Sequence, residues 1–119
     1  GNVSKIHTNK AYFDSIFINL LTNSLKYRSK NRELVIDITI TKEENDTIKI
    51  IFRDNGIGID LERNKNKIFG LYQRFHDYPD SKGLGLFLVK SQIETMGGTI
   101  SIQSEIENGT EFILTFKSL

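Results

Sequence analysis

Cysteine and tryptophan are absent from this chain and proline occurs once, at Pro79. The missing cysteine removes disulfides, thiolate zinc sites and cysteine nucleophiles together, and a cytoplasmic setting is expected. Charge of either sign is not in excess: the formal net charge is +1, and no cluster of arginines and aromatics marks a nucleic-acid partner. Long apolar runs are missing too. Stretches such as Ile16 to Ile18 and Leu84 to Val89 fall far below the ~18 residues needed to cross a bilayer, and no signal peptide opens the chain. His7 and His76 stand alone, without carboxylates at metal-ligand spacing. What is present, 38% hydrophobic and 26% charged residues in a chain of 119, suits one globular domain that buries roughly two-thirds of its unfolded surface. A chain that opens on Gly1 is expected to be a piece of a longer protein, and the piece itself to be monomeric.

Hydrophobic spacing divides the chain into two helices and four strands. Tyr12, Phe13, Ile16, Phe17, Leu20, Leu21 and Leu25 recur at helical intervals, which predicts a helix capped at Thr8 or Asn9 and ending near Arg28. Asn19, Asn23, Lys26 and Tyr27 share a second, polar face of that helix. Leu34 to Thr41 and Ile48 to Arg53 read as an antiparallel hairpin across Glu43 to Asp46, and the second strand runs directly into Asp54. Asp60 to Phe69 is weakly helical, and from Gly70 to Lys82 periodicity fades, as in a lid. A helix from Gly83 to Met96, with Leu84, Phe87, Leu88, Ser91 and Ile93 inward, ends at Gly97-Gly98. Thr99 to Gln103 and Glu111 to Phe116 close the chain as a second hairpin, with Asn108-Gly109 as its turn signal.

Two glycine pairs bracket the lid. In Asp54-Asn55-Gly56-Ile57-Gly58-Ile59 a carboxylate at a strand end precedes glycines against which a purine can lie, and a carboxylate accepting from an exocyclic amine favours adenine over guanine. Taken alone, Asp-Asn-Gly is also an ordinary turn. Lys82-Gly83-Leu84-Gly85-Leu86 opens a helix whose free N–H groups attract phosphate, although glycines there also let a helix pack closely. It is neither a Walker loop nor a dinucleotide-binding turn. On the first helix, an amide oxygen of Asn23 together with phosphate oxygens and waters suffices for Mg²⁺. Lys26 is placed to neutralise phosphate, Tyr27 to line a purine pocket, and Arg74 in the lid to reach a γ-phosphate.

In this order the pieces resemble the ATP-binding catalytic domain of bacterial sensor histidine kinases, in the superfamily that joins gyrase, chaperone, histidine kinase and MutL domains. Asn19 to Tyr27 looks like the asparagine box and Asp54 to Gly58 like the first glycine box. Ile68-Phe69 with Tyr72 to His76 is similar to the phenylalanine box, and Gly83 to Leu86 to the second glycine box. Gly97 to Ile100 and Gly109 to Phe112 also fit. The resemblance implies an α+β two-layer sandwich of the Bergerat type: a mixed, mostly antiparallel sheet with about three helices on one face. It implies Mg²⁺ on Asn23, support of metal and phosphates by Asn19, and the adenine amine on Asp54. Lys26 and Tyr27 would touch phosphate and base, and Gly56, Gly58, Ile59 and Thr110 would belong to the nucleotide site. Lys82, Gly83, Leu84, Gly85 and Leu86 would close over the phosphates.

The reaction so implied moves the γ-phosphoryl group of ATP to a histidine on the parent protein's dimerisation domain, from which a response regulator is served. Ser81 stands at the first glycine position of the second box, and His76 and Asp77 stand where a second lid arginine is frequent, leaving Arg74 as the lid candidate. Ser24 replaces a common alanine, a small change on this reading. Asn19 occupies the position that resembles a water-activating glutamate in the superfamily's true ATPases; an amide cannot act as that base, so slow hydrolysis is expected. The alternatives are a regulatory module that binds nucleotide without transferring phosphate, and an ATPase of the wider superfamily.

Overall fold

The structure, a computed structural model, describes residues 2–64, 69 and 85–117. Helix α1 spans Asn2–Lys26, α2 is the single turn Leu61–Asn64, and α3 spans Gly85–Thr95. Strands β1 (Ile36–Lys42), β2 (Thr47–Asp54), β3 (Thr99–Glu105) and β4 (Gly109–Lys117) form one sheet in the order β1-β2-β4-β3. Its three pairings are all antiparallel. The central pair, β2 and β4, joins strands far apart in sequence, with Phe52 opposite Phe112 and Asp54 opposite Thr110.

One sheet face carries the core. Alternation puts Ile50 and Phe52 of β2 and Phe112, Leu114 and Phe116 of β4 on the same side, where they meet Ile16 and Leu20 of α1 and Leu86, Val89 and Ile93 of α3. Phe13 of α1 stacks at a tilt on Phe116, ring centroids 5.0 Å apart. Each of these aromatic or branched residues contributes roughly 1.5–3 kcal/mol by leaving water, enough in sum to hold a two-layer domain together.

Several elements depart from the periodicity reading. The first helix does not begin at Thr8 or Asn9; both lie inside α1, and no proline or glycine stands between Asn2 and Asn9 to force the backbone out of helical geometry. It stops at Lys26, two residues before Arg28, where the Arg28 guanidinium donates to the carbonyl of Leu25 and so satisfies part of the helix end. Its buried row is Ile16, Leu20 and Ser24, with Tyr27 buried just past its end, whereas Leu21 and Leu25 are 40% and 51% exposed. The inward row of α3 is Leu86, Val89 and Ile93: Ile93 is buried as expected, whereas Leu86 and Val89 take the place of Phe87 and Leu88, and Leu88 is exposed. Strand β1 starts two residues later than the alternation suggests, and β4 starts two residues earlier, at Gly109. The β3–β4 turn places Glu107, not Asn108, in the left-handed region, with φ of 69°. Leu84, with the lid from Gly70 to Lys82, lies outside the described residues.

Candidate functional site

Asp54 ends β2 on the core side of the sheet and is 6% exposed. A buried carboxylate must be met by donors, and three are in place. Ser24 Oγ donates to Oδ2 at 2.7 Å, while the backbone N–H groups of Gly56 and Thr110 donate to Oδ1 at 2.9 and 3.3 Å. A carboxylate offers about four lone-pair positions. Oδ1 is therefore filled from the protein, and Oδ2 keeps one acceptor position.

The turn after Asp54 is held from three sides. Ile57 N donates to the carbonyl of Tyr27 at 2.9 Å, so the end of α1 rests on the glycine turn. Ile57 O accepts from Glu107 N at 2.7 Å, which ties in the β3–β4 turn. Arg32 supplies the third hold: Nε donates to the Asn55 carbonyl at 2.7 Å, and one terminal nitrogen donates to the carbonyls of Gly56 and Glu107 at 2.7 and 2.6 Å. Asn55 faces away from any ligand role, its amide clamping the strand entry through Val35 N and the Glu33 carbonyl.

Gly58 and Gly109 explain why glycine is needed here. Gly58 has φ of 76° and a Cβ added to it would lie 2.0 Å from the Glu105 carbonyl oxygen. Gly109 has φ of 98° and would place a Cβ 2.0 Å from the Asp54 carbonyl oxygen. The close approach that these residues allow is between segments of the protein's own backbone, which seats the turn beneath α1 and beside β4.

A small hydroxyl network continues the floor. Ser104 Oγ donates to the Gly109 carbonyl at 2.7 Å and accepts from Ile59 N at 2.8 Å. Its one proton being used, the 3.0 Å contact with Thr110 Oγ1 has Thr110 as the donor.

Beside this floor runs the polar edge of α1. Asn19, Asn23 and Lys26 are half-buried, and Tyr27, one residue past the end of α1, is buried. Asn19 Nδ2 donates back to the Ser15 carbonyl at 2.9 Å, which leaves the amide oxygen as the group turned outward from that bond. Asn23 immediately precedes Ser24, so the bond from Ser24 to Asp54 brings the end of α1 and the end of β2 to one place. From the other side α3 packs on α1, joined by Gln92 Nε2 donating to Ser15 Oγ at 3.0 Å. Gly85 opens α3, and Leu86 is a core residue. Arg74, Lys82, Gly83 and Leu84 lie outside the described residues.

This arrangement, an antiparallel sheet with α1 and α3 on one face, has known counterparts. Residues 8–119 match the family model described as histidine kinase-, DNA gyrase B-, and HSP90-like ATPase. The chain belongs to this family. Among its relatives is the sensor protein RprX of Bacteroides fragilis, 36% identical over 118 residues, which cover 96% of this chain and 22% of that protein. This chain thus spans about a fifth of the length of that relative. The solved catalytic domain of the histidine kinase ThkA superposes with a TM-score of 0.71 at 28% identity, covering 90% of this chain and 66% of that one. Full-length ShkA, solved in complex with AMPPNP, shares the fold with a TM-score of 0.74 at 22% identity, over 91% of this chain and 22% of that one. Within this ATPase family fold, the residues that spacing did not single out are Ser24, Arg32 and Ser104. A serine on the row of Ile16 and Leu20 was the available sign, since a polar group on a buried row requires a partner.

Proposed function

We propose that this chain binds ATP with Mg²⁺ and donates the γ-phosphoryl group to a histidine on a separate dimerisation domain of its parent protein, in two-component signal transduction. The observation that carries the reading is Asp54, a buried carboxylate with one acceptor position left on Oδ2, beside the asparagine edge of α1. The adenine amine is the donor that this position suits. Among the described residues no three His, Cys, Asp or Glu side chains group together as a metal site. A metal held by the amide oxygen of Asn23 must therefore be completed by phosphate oxygens and water, as Mg²⁺ accepts.

Bound ATP supplies the transferable phosphoryl group, and the chain's own residues orient and protect it. Lys26 offsets phosphate charge, and the first N–H groups of α3 from Gly85 onward offer further donors. Arg74, Lys82, Gly83 and Leu84 take the phosphate-facing roles that the family resemblance gives them. Asn19 cannot remove a proton from water, so hydrolysis stays slow and the phosphoryl group is kept for an incoming imidazole. The response regulator is then served by the parent protein, with this domain a cytoplasmic monomeric unit. No helix among the described residues is long and apolar enough to cross a membrane.

The test mixes this chain with a separately made histidine-bearing domain of the parent and γ-labelled ATP. Label on histidine is the expected result. Tight nucleotide binding with no label under varied pairings would replace the kinase reading with that of a regulatory nucleotide-binding module.

A further inference from the structure

Ser24 is almost fully buried, at 1% exposure, on the row of α1 that otherwise carries Ile16 and Leu20. Its hydroxyl proton lies on Asp54 Oδ2 at 2.7 Å. The Thr110 hydroxyl proton is engaged by Ser104, and the N–H groups of Gly56 and Thr110 are engaged by Asp54 Oδ1. These donors of the floor are thus turned onto the protein itself. Among the described residues, what these floor groups leave unengaged is lone pairs: one on Asp54 Oδ2 and those of the Ser24 and Thr110 hydroxyl oxygens.

We infer that Ser24 is a positioning residue that makes the floor select 6-aminopurine over 6-oxopurine nucleotides, by holding Asp54 Oδ2 with a single acceptor position open. The inference rests on the reading of Asp54 as the group that receives the base. An amino group at purine C6 brings one hydrogen to that position. An oxo group there brings lone pairs against lone pairs, and the Ser24 and Thr110 hydroxyl protons are not free to meet it. Without the serine hydroxyl, Oδ2 is a buried carboxylate oxygen short of a donor, free to turn and take its second hydrogen from water or from the ring N–H of guanine. Discrimination is then lost at the serine although the aspartate is intact.

The experiment measures affinity for ATP, GTP and purine riboside triphosphate, which lacks the 6-amino group, by calorimetric titration of the full chain. Ser24→Ala removes the donor, and Ser24→Cys keeps a group of similar size with a weak one. The expected result is an order of ATP affinity Ser, Cys, Ala, with a loss of about tenfold for Ser24→Ala, which is about 1.4 kcal/mol. Purine riboside triphosphate is bound equally by all three, and the preference for ATP over GTP narrows by about the same factor. Equal losses for ATP and purine riboside triphosphate would make Ser24 a packing residue only, and unchanged ATP affinity would remove its role; either overturns the inference. Asp54→Asn, measured in parallel, separates the two levels. If it leaves the ratio of ATP to purine riboside triphosphate unchanged, the base-receiving reading of Asp54 falls with everything built on it; if it collapses that ratio while Ser24→Ala does not, only the role of Ser24 falls.

Discussion

Removing Arg32 tests whether the candidate site is held in place by one guanidinium. Its three bonds to the carbonyls of Asn55, Gly56 and Glu107 join the α1–β1 connection, the glycine turn and the β3–β4 turn. Bonds from a charged donor are worth roughly 1.5–3 kcal/mol each when dry. The Arg32 side chain is 33% exposed, so water replaces part of what is lost, and about 1 kcal/mol per bond is the better figure. Arg32→Ala is therefore expected to cost about 2–3 kcal/mol in urea unfolding followed by circular dichroism, with an unchanged m-value. The 3.8 Å ion pair with the Glu107 carboxylate adds little, because Glu107 is 60% exposed. Glu107→Ala should thus cost less than about 0.5 kcal/mol, since the strong acceptor at that residue is its backbone carbonyl. Arg32→Lys should recover only about 1 kcal/mol, as an ammonium cannot span three carbonyls with the geometry of a planar fork. A loss below about 0.5 kcal/mol for Arg32→Ala, or full recovery by lysine, would refute the reasoning.

Other substitutions probe different parts of the argument. Gly58→Ala combines a left-handed backbone with a Cβ driven into the Glu105 carbonyl and should cost at least about 3 kcal/mol, whereas Gly97→Ala, with φ of 80° and nothing within 4 Å, should cost only about 1–2 kcal/mol; thermal unfolding of the pair separates strain from clash. Phe112→Ala removes a fully buried ring from the centre of the sheet and should cost about 3–5 kcal/mol in the same assay. Asn23→Ala should abolish Mg²⁺-dependent ATP binding in calorimetry without moving the unfolding midpoint, because its half-buried side chain lies off the core row; unchanged affinity would remove the metal assignment.

Much of this architecture can be read from residue spacing, and its gaps have physical causes. The alternation of β2 into Asp54 needs only a period of two, so the strand end and its carboxylate were legible. The buried row of α3 was legible only at Ile93, because Leu86-Phe87-Leu88-Val89 is apolar on every side and periodicity cannot choose among its rows. The same ambiguity gave Leu21 and Leu25 to the core of α1 and left Ser24 as a minor substitution. Arg32 carried no signal at all. Its partners are backbone carbonyls 23, 24 and 75 positions away, and a carbonyl has no side-chain identity to read. The nucleotide roles proposed for these residues lean on the family resemblance, since each motif alone is shared with ordinary turns and helix starts.

The placement of β4 between β2 and β3 has a consequence for how the molecule is assembled. The N-terminal hairpin can form early from neighbouring segments, yet half of the hydrophobic face it needs arrives only with Phe112, Leu114 and Phe116. Cooperative closure is therefore deferred until the last strand has been synthesised and inserted, and trimming β4 should leave a sticky hairpin in place of a smaller domain. All of residues 55–108 lie in the connection that this insertion closes. Because closure entropy grows only with the logarithm of length, doubling such a connection adds about 0.6 kcal/mol. Evolution is thus free to lengthen or rewrite the stretch between the two glycine pairs at little thermodynamic risk to the sheet.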